Sequence, residues 1–204
     1  MERNTKQDIK EAALTLFSQR GYSAVSIRDI CKVVGIKEST VYYHFTNKQD
    51  IFNVLLREFE EITQAIQQQF NHEFSKMSVL EEQAFVAVGL SFLNGYLLNE
   101  RILPFMRMLM IEQYVNAEAA SLYHDIFFDA PLRQNAMVFS RLMQMGLFHQ
   151  ADAACLAMEY YAPIFLIVQQ YFACGEVTAE KRRAADGQLR LYLESFYEKY
   201  HKAQ

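Results

Sequence analysis

The chain has 204 residues, of which 51% are hydrophobic and 22% are charged, and it contains only 7 glycines and 3 prolines. This much apolar material with so few chain breakers excludes an intrinsically disordered protein and indicates a globular one. The abundance of Leu, Met, Ala, Glu and Gln favours an all-α fold. The length allows one domain, or a small domain followed by a larger one.

The net charge is −4, which by itself argues against a protein that binds nucleic acid. The charge is not evenly distributed, however. Residues 1–50 contain eight Lys and Arg against six Asp and Glu, whereas residues 51–204 contain twelve against eighteen. A mildly basic N-terminal region on an acidic remainder is compatible with DNA binding without requiring it.

The three cysteines, Cys31, Cys155 and Cys174, show no CxxC spacing. We therefore expect them to be buried free thiols in a reducing cytosol. The first residues, MERNTKQD, cannot form the apolar core of a signal peptide. No apolar run reaches the roughly 18 residues that a membrane span requires, so we expect a soluble cytoplasmic protein with no membrane contact.

The first predicted helix begins at Thr5, where Asp8 three residues later completes a pattern like a capping box. Gly21 is expected to end this helix in the left-handed αL conformation. Between them, apolar residues recur at helical spacing and are expected to face the core. They are Ile9, Ala12, Ala13, Leu16 and Phe17.

Two short helices follow. Ser26 is expected to cap the first of them, with Asp29 beside the positive end of the helix and Gly35 at its end. The second, from about residue 38 to residue 44, has only Val41 and Phe45 as core positions, and its other side chains do not form the charged face of a solvated helix. Two short helices joined by a glycine turn are the outline of a helix-turn-helix.

A fourth helix begins at Lys48, and its apolar spacing persists for about seven turns. It is too long to belong to a three-helix domain alone, so we expect it to connect that domain mechanically to the rest of the chain. The remaining predicted helices are residues 79–98, capped by Ser78 with Glu81; residues 101–114; a segment from Asn116 to Met145, broken or kinked at Pro131 and stopped by Gly146; residues 152–173; and residues 178–201.

The last two predicted helices carry more apolar surface than one core needs. Residues 152–173 are apolar nearly all round, which predicts that neighbours bury this helix on every side. The apolar side chains of residues 179–200 also cover more of their helix than the single stripe that one core would bury. This surplus favours a homodimer formed through helices 152–173 and 179–200, and the alternative is a deep core within one chain.

No pattern typical of catalysis or metal binding emerges. The segment GLSFL lacks the second glycine of a nucleophile elbow, and the five histidines are scattered along the chain. Glu198 and His201 have the spacing of a metal-binding pair, but only one such pair is present. We therefore predict no catalytic residue, no metal site and no cofactor.

The predicted helix-turn-helix offers groups suited to DNA. Hydroxyl, imidazole and ammonium groups can donate to phosphate oxygens, and these contacts carry no sequence information. The candidates for phosphate contacts are Ser26, Thr40, Tyr42, Tyr43, His44 and Lys48. Base edges in the major groove would be met by the early residues of the second short helix and by one residue of the first. The candidates for base contacts are Arg28, Lys37, Glu38, Ser39, Thr40 and Tyr43.

The same region resembles the N-terminal domain of TetR (tetracycline-repressor) family transcription regulators. The resemblance covers about residues 5–55, and its most specific part is VYYHFTNKQDI, residues 41–51. The residues that carry it are Phe17, Gly21, Tyr22, Ser26, Ile30, Gly35, Tyr42, His44, Phe45, Lys48 and Ile51. The sequence departs from the family at Lys37, where Ser or Thr is common, and at Val34, where Ala is frequent.

This resemblance implies an all-α homodimer with a helix-turn-helix DNA-binding domain in residues 1–50 and a ligand-binding and dimerisation domain in residues 51–204. It also implies that the residues matching Tyr42, His44 and Lys48 contact phosphate on a double-stranded, pseudo-palindromic operator. A pocket in the second domain would suit a small apolar or aromatic effector, and Arg107 or His124 inside it would favour an anionic group. The candidate ligand-binding residues are Phe92, Tyr96, Met106, Met110, Tyr114, Tyr123, Phe127 and Tyr161, each of which could instead belong to the ordinary core.

The sequence thus predicts a ligand-responsive dimeric transcriptional regulator, with repression as the first expectation. The alternative is a DNA-binding protein of the same fold that a protein partner controls and that has no small-molecule effector. An enzyme would need converging polar groups in the helical bundle, and the sequence gives no sign of them.

Overall fold

The computed structural model describes residues 4–75, 81–99, 101–173 and 175–202. Across these ranges the chain is helical and forms no strand, apart from one isolated bridge between Phe148 and His201. The predicted all-α fold is confirmed. The helices are α1 (Thr5–Arg20), α2 (Ile27–Val34), α3 (Glu38–His44), α4 (Lys48–Ser75), α5 (Glu82–Ser91), α6 (Ile102–Glu112), α7 (Ala117–His124), α8 (Ala130–Gln144), α9 (Ala153–Phe172) and α10 (Ala179–Tyr200).

The chain divides into two compact units. Unit 1 consists of Met1–Gln69 and Glu100–Tyr123, and unit 2 consists of Phe70–Asn99 and His124–Gln204. Unit 1 is larger than the predicted DNA-binding domain because α6 packs against α1 and α4 extends well past residue 50. The predicted domain boundary at residue 50 therefore does not coincide with the division into compact units, and it stays a prediction.

The core of unit 1 is built around aromatic rings. Phe17 lies 5.4 Å from Tyr22 and 6.2 Å from Phe52, measured between ring centroids. Farther along α4, Phe59 stacks on Phe105 of α6 at 5.0 Å. Of the core positions predicted on α1, Leu16 is only half-buried and the others are buried. Apolar burial of this kind is the main source of stability in a small helical unit.

Unit 2 contains a larger aromatic cluster in its core. Phe85 of α5 stacks on Phe196 of α10 at 5.9 Å, and Phe196 lies 5.5 Å from both Phe139 and Tyr160. Gly89 lets α5 approach α10 closely, because a Cβ atom there would lie 2.5 Å from Leu193 Cδ1. The last helices are thus fixed to the core of this unit by ring contacts.

Helices α9 and α10 run antiparallel. Glu159 near the start of α9 contacts Lys199 and Tyr200 near the end of α10, while Tyr171 at the other end of α9 contacts Gln188. Within this single chain, α9 and α10 are not buried on every side, because some of their apolar side chains face outward. They include Met158 and Leu166 of α9 and Leu191 of α10, with Leu166 61% and Leu191 69% exposed.

Two predicted helix ends differ from the structure, and a third cannot be compared with it. Asn4 rather than Thr5 caps α1, since its side chain accepts a hydrogen bond from the N–H of Gln7. Gly21 has φ 79° and ψ 155°, so it is not in the αL conformation, although its positive φ still favours glycine. The predicted cap at Ser78 lies outside the described residues.

Two π-helical segments interrupt the α-helices, at Phe92–Leu97 and at Asp125–Asp129. The helix is not broken at Pro131, which was predicted to break or kink it, because this residue lies in the first turn of α8, directly after the second π segment. A proline is tolerated in a first helical turn, where its missing N–H is not needed. Another proline, Pro163, lies inside α9, within the helix predicted for residues 152–173.

The cysteines were predicted to be buried free thiols, and of the two that the structure describes, one is buried. Cys31 is a buried free thiol, whereas Cys155 is a free thiol on the exposed side of α9. Cys155 is exposed because it lies in the first turn of α9, on the side that faces away from the core. Cys174 lies outside the described residues. In the part of the chain that the structure describes, no helix is both long enough and apolar enough to cross a membrane.

Candidate nucleic-acid interface

Helix α2 is capped as the sequence predicted. Asp29 donates its N–H to Ser26 Oγ, while its carboxylate accepts from both the N–H and the hydroxyl of Ser26, at 2.9 and 2.6 Å. These hydrogen bonds from Ser26 are the main cause of a lowered pKa of Asp29, and the nearby positive charges of Arg20 and Lys32 lower it further. At the other end Gly35 has φ 74° and ψ 38°, which is the αL conformation, so the predicted glycine stop is confirmed.

This capping box bears on the phosphate contact predicted for Ser26. Its hydroxyl proton is already donated to Asp29. A phosphate oxygen can accept from that hydroxyl only if it turns away from Asp29, whose negative charge would also repel phosphate. The cap is confirmed, whereas the phosphate contact stays a prediction.

Helix α3 presents one side to the core and the other to the outside. Val41 and Phe45, the two predicted core residues, are buried. Tyr42 and Tyr43 lie on the outside and are 53% and 84% exposed. Lys37 makes no side-chain cap, which agrees with the absence of Ser or Thr at this position. Of the other candidates on this helix, Ser39 is exposed, while Thr40 and His44 are partly buried.

Two of the predicted base-contacting residues form an ion pair across the turn between α2 and α3. Arg28 Nε lies 2.8 Å from Glu38 Oε1; the Arg28 side chain is largely exposed and that of Glu38 is partly exposed. An exposed pair of this kind contributes little to stability. It does place a guanidinium and a carboxylate side by side at the start of α3, and the guanidinium keeps other N–H groups for an outside acceptor.

Lys48 faces inward rather than outward. Its ammonium donates to the backbone oxygens of Tyr22 and Val25, at 2.8 Å each, and lies 4.1 Å from the centroid of the Tyr22 ring. Burial lowers the pKa of Lys48, and the nearby charge of Glu112 opposes that effect. Because two of its three N–H groups hold the loop before α2, at most one is left for the predicted phosphate contact.

No pattern in the sequence points to Glu112, the last residue of α6. It is the one charged residue among the buried side chains of the described residues, with 2% of its surface exposed. Its carboxylate accepts a hydrogen bond from the N–H of Tyr22, with 2.6 Å between Tyr22 N and Glu112 Oε1. A contact between residues ninety positions apart leaves no periodic or local signal in a single sequence.

The predicted ligand-binding residues are divided between the two units. In unit 1, Met106 and Tyr123 are buried and Met110 is partly buried, but Tyr114 is 85% exposed in the turn after α6. Its outward position corrects the expectation that Tyr114 lines an enclosed pocket.

The other four predicted ligand-binding residues belong to unit 2. Phe127 and Tyr161 are buried there, and Phe92 lies 5.2 Å from Tyr96, whose pKa burial raises strongly. His124 is exposed and lies beside the ring of Phe128, so it is not enclosed with them. Arg107, the other predicted charged residue, is partly buried on α6 in unit 1.

Across the described ranges, no group of three or more His, Cys, Asp or Glu side chains is arranged to hold a metal ion. The predicted pair of Glu198 and His201 lies at the end of α10, with Glu198 exposed. Each of the ten candidate DNA-contacting residues, by contrast, belongs to unit 1 and lies between residues 26 and 48.

The sequence of this region matches known proteins. Residues 9–55 match the family model described as bacterial regulatory proteins, tetR family. The chain is 34% identical over 80 residues to the HTH-type transcriptional regulator AcrR of Shigella flexneri, covering 38% of this chain and 37% of that protein. It is 45% identical over 47 residues to IcaR of Staphylococcus epidermidis, an HTH-type negative transcriptional regulator of the biofilm operon icaADBC, covering 23% and 25%. The match spans less than two fifths of the length of these relatives.

Solved structures share the fold over much more of the chain. A structure from Mesorhizobium loti assigned to the TetR family of transcriptional regulators has a TM-score of 0.73 at 20% identity, covering 97% of both chains. A protein from Saccharomonospora viridis assigned as a transcriptional regulator, solved in complex with choline, has a TM-score of 0.67 at 23% identity, covering 97% of this chain and 98% of that one. At these identities the likeness shows the fold alone. Residues 9–55 thus match the tetR family of bacterial regulatory proteins, and the chain shares its fold with solved structures assigned to that family.

Proposed function

We propose that the chain is a homodimeric transcriptional regulator that binds a pseudo-palindromic operator in double-stranded DNA through α2 and α3, and that a small apolar or aromatic molecule releases it. The observation that carries this proposal is the outward side of α3. Tyr43 is 84% exposed there, on a helix whose other side is anchored in the core by Val41 and Phe45. Tyr42 beside it is 53% exposed, and neighbouring aromatic side chains exposed together are typical of a binding surface.

The start of α3 suits the major groove. Lys37 can donate to guanine acceptors, Glu38 can accept from the cytosine amino group, and the Thr40 methyl can contact thymine. Arg28, beside Glu38, supplies a second cation from α2. Tyr42, Tyr43 and His44 would then lie near the DNA backbone and donate to phosphates, which fixes the register of α3 in the groove.

Ser26 and Lys48 have a different role in this proposal from the one first expected. Ser26 completes the cap of α2 and Lys48 holds the loop before it, so their hydrogen bonds are largely used within the protein. We propose that both act mainly by fixing α2 and α3, and that direct phosphate contacts from them are secondary.

Dimerisation would bring two copies of α3 to one operator. Met158, Leu166 and Leu191 form outward apolar positions on an antiparallel helix pair, and a second copy could cover them in a two-fold arrangement. Recognition helices of such a dimer enter successive major grooves about 34 Å apart. The description of IcaR as a negative regulator supports repression as the outcome.

The effector would bind among the aromatic and methionine side chains predicted to line a pocket. The choline complex of the Saccharomonospora viridis protein supports a small-molecule site in this fold. A quaternary ammonium ion is attracted by aromatic faces, and Phe92, Tyr96 and Tyr161 offer such faces in unit 2. Release would require coupling between effector and DNA, typically about 1–3 kcal/mol.

A selection experiment tests the DNA-binding proposal without knowledge of the operator. The full chain is mixed with a random library of duplexes, and the bound fraction is amplified and sequenced over several rounds. We expect enrichment of a pseudo-palindrome whose half-sites lie about one helical turn apart. Enrichment no greater than that with bovine serum albumin would contradict the proposal.

One observation favours a second candidate, a regulator of the same fold that a protein partner controls. Ile111, Tyr114 and Val115 are close together in sequence and exposed at the end of α6 and in the following turn, forming an apolar surface in unit 1. A chemically diverse panel of hydrophobic and cationic compounds separates the two candidates. A raised melting temperature with at least one compound supports the small-molecule effector, whereas no shift with any of them favours the protein partner.

A further inference from the structure

A buried carboxylate lies directly beneath the turn that leads into α2. Glu112 ends α6, is 2% exposed, and accepts the Tyr22 N–H at 2.6 Å. Removing a carboxylate from water is costly unless hydrogen bonds and an opposite charge compensate for it. Here the N–H of Tyr22 provides the hydrogen bond. The ammonium of Lys48 provides the opposite charge, because the negative charge of Glu112 raises the pKa of Lys48 against the lowering that burial causes.

Lys48 holds the same turn with hydrogen bonds to its backbone oxygens. Its ammonium donates to the oxygens of Tyr22 and Val25 and lies over the Tyr22 ring. Tyr22 is therefore held on both sides, by the carboxylate at its N–H and by the ammonium at its oxygen. We call Glu112, Tyr22 and Lys48 the turn network.

The packing around Gly21 shows how closely the end of α6 approaches this turn. A Cβ atom on Gly21 would lie 2.9 Å from Ile111 Cγ2 and 3.2 Å from Glu112 Oε1. The positive φ of 79° at Gly21 further disfavours any other residue there. The contact between α6 and the turn is thus specified both sterically and by hydrogen bonding.

The turn network connects to both ends of the helix-turn-helix. Val25, whose oxygen Lys48 holds, directly precedes Ser26, the cap of α2. Lys48 itself begins α4 only three residues after Phe45, the core residue that ends α3. A displacement of Glu112 would therefore be transmitted to the entry of α2 and, through Lys48, to the exit of α3.

We propose that Glu112 is a positioning residue for DNA binding: its buried carboxylate holds the turn network, and thereby α2 and α3, in the arrangement that fits the operator. The proposal deepens the proposed DNA-binding function and rests on it. Glu112 touches no DNA, since it is buried beneath the turn. Its effect on affinity would be exerted entirely through Tyr22 and Lys48.

The charge of Glu112 allows a sharp test. Glu112→Gln preserves the size of the side chain and an acceptor for the Tyr22 N–H, but it removes the negative charge that acts on Lys48. Removing a negative charge from a protein tightens its binding to DNA on electrostatic grounds alone. A loss of affinity in this variant would therefore point to positioning and could not result from the change in net charge.

The experiment measures the affinity of the full chain for the duplex that the wild-type protein enriches from the random library. We expect Glu112→Gln to bind that duplex about 5- to 50-fold more weakly, within the range typical of coupling between sites. Glu118→Gln, which removes an exposed carboxylate of α7, is the matched control and should bind within about twofold of wild type.

Hydrogen exchange provides a second measurement on the same proteins. The Tyr22 amide should exchange faster in Glu112→Gln than in wild type, because its charged acceptor is lost. Unchanged affinity in Glu112→Gln, or an equal loss in Glu118→Gln, would overturn the proposal. A purely structural role would lower the melting temperature while leaving the affinity of the folded protein unchanged, and this result also counts against it.

Glu112→Asp covers the case in which Glu112→Gln does not fold. The carboxylate is retained but lies one methylene farther from Tyr22, so affinity should fall measurably, and wild-type affinity in this variant would overturn the proposal. Failure of the DNA-binding function itself is distinguishable, because the wild-type chain would then enrich no duplex. That result would overturn the positioning role along with the function on which it rests.

Discussion

In unit 2, the rings of Phe85, Phe139, Tyr160 and Phe196 pack against one another and join α5, α8, α9 and α10. In unit 1, aromatic rings also form the core, but the turn before α2 is held by the charged groups of the turn network. Apolar packing is strong and non-directional, whereas a hydrogen bond to a charge depends steeply on geometry. The two units should therefore respond differently to substitution.

This difference suits the functions that we propose for the two parts. A unit held by ring packing keeps its shape when one polar contact changes. A turn held by a few directional contacts can change position when one of them is lost, with little apolar surface exposed. The comparison therefore predicts that stability is most sensitive in unit 2 and that DNA affinity is most sensitive in unit 1.

The largest effect on stability is expected for Phe196→Ala in the centre of the aromatic cluster. Loss of a buried ring from a packed core costs about 3–5 kcal/mol. Denaturant unfolding measures the change, and Met137→Ala on the exposed side of α8 is the control, with an expected change of less than about 0.5 kcal/mol. Similar changes for the two variants would show that the rings do not stabilise unit 2.

A smaller loss is expected for Lys48→Met in the turn network. The substitution removes the donor to two backbone oxygens, which should lower the free energy of unfolding by about 1–3 kcal/mol. Lys32→Met, on the exposed side of α2, removes the same charge and should have little effect on stability. The prediction fails if thermal or denaturant unfolding does not distinguish the two variants.

The smallest effect concerns the pH dependence of the contact between α9 and α10. Hydrogen bonds from Lys199 and then from Tyr200 lower the pKa of Glu159 below 4.5. A carboxyl group whose pKa is lowered by folding stabilises the protein above its unfolded pKa, and this contribution is lost as pH falls through the folded value.

Glu159→Gln should therefore unfold with a weaker pH dependence than wild type below about pH 4.5, and the two proteins should converge at lower pH. Melting temperatures measured from pH 3 to pH 7 test this expectation. Glu198→Gln, an exposed carboxylate on the same helix as Lys199, is the control and should follow the wild-type curve.

The parts of the structure that sequence analysis predicted are those set by local chemistry. The Ser26–Asp29 capping box and the αL conformation of Gly35 each depend on residues within a few positions of one another. The same holds for α3, where Val41 and Phe45 follow from helical spacing. Such patterns are visible in one sequence because the interacting groups are neighbours along the chain.

The parts that were missed depend on contacts between distant residues or on competition among local ones. Glu112 meets Tyr22 across ninety positions, and no periodic pattern marks it. Lys48 was expected to face DNA, but two backbone oxygens within reach attract its ammonium inward. Asn4 displaced Thr5 as the cap of α1, since both residues can accept a hydrogen bond at a helix start.

The central claim, that the outward side of α3 binds DNA, can be tested with two tyrosines. Tyr43 on α3 and Tyr114 after α6 belong to the same unit and are 84% and 85% exposed. Truncation of either residue to alanine removes the same side chain from a solvent-exposed position. The two substitutions therefore differ mainly in location.

The most direct measurement compares Tyr43→Ala and Tyr114→Ala for affinity to the duplex that the wild-type chain enriches. We predict that Tyr43→Ala weakens binding by about tenfold or more, which corresponds to roughly 1.4 kcal/mol. Tyr114→Ala should bind within about twofold of wild type. Equal affinities for the two variants, or a larger loss for Tyr114→Ala, would contradict the assignment of the DNA-binding surface to α3.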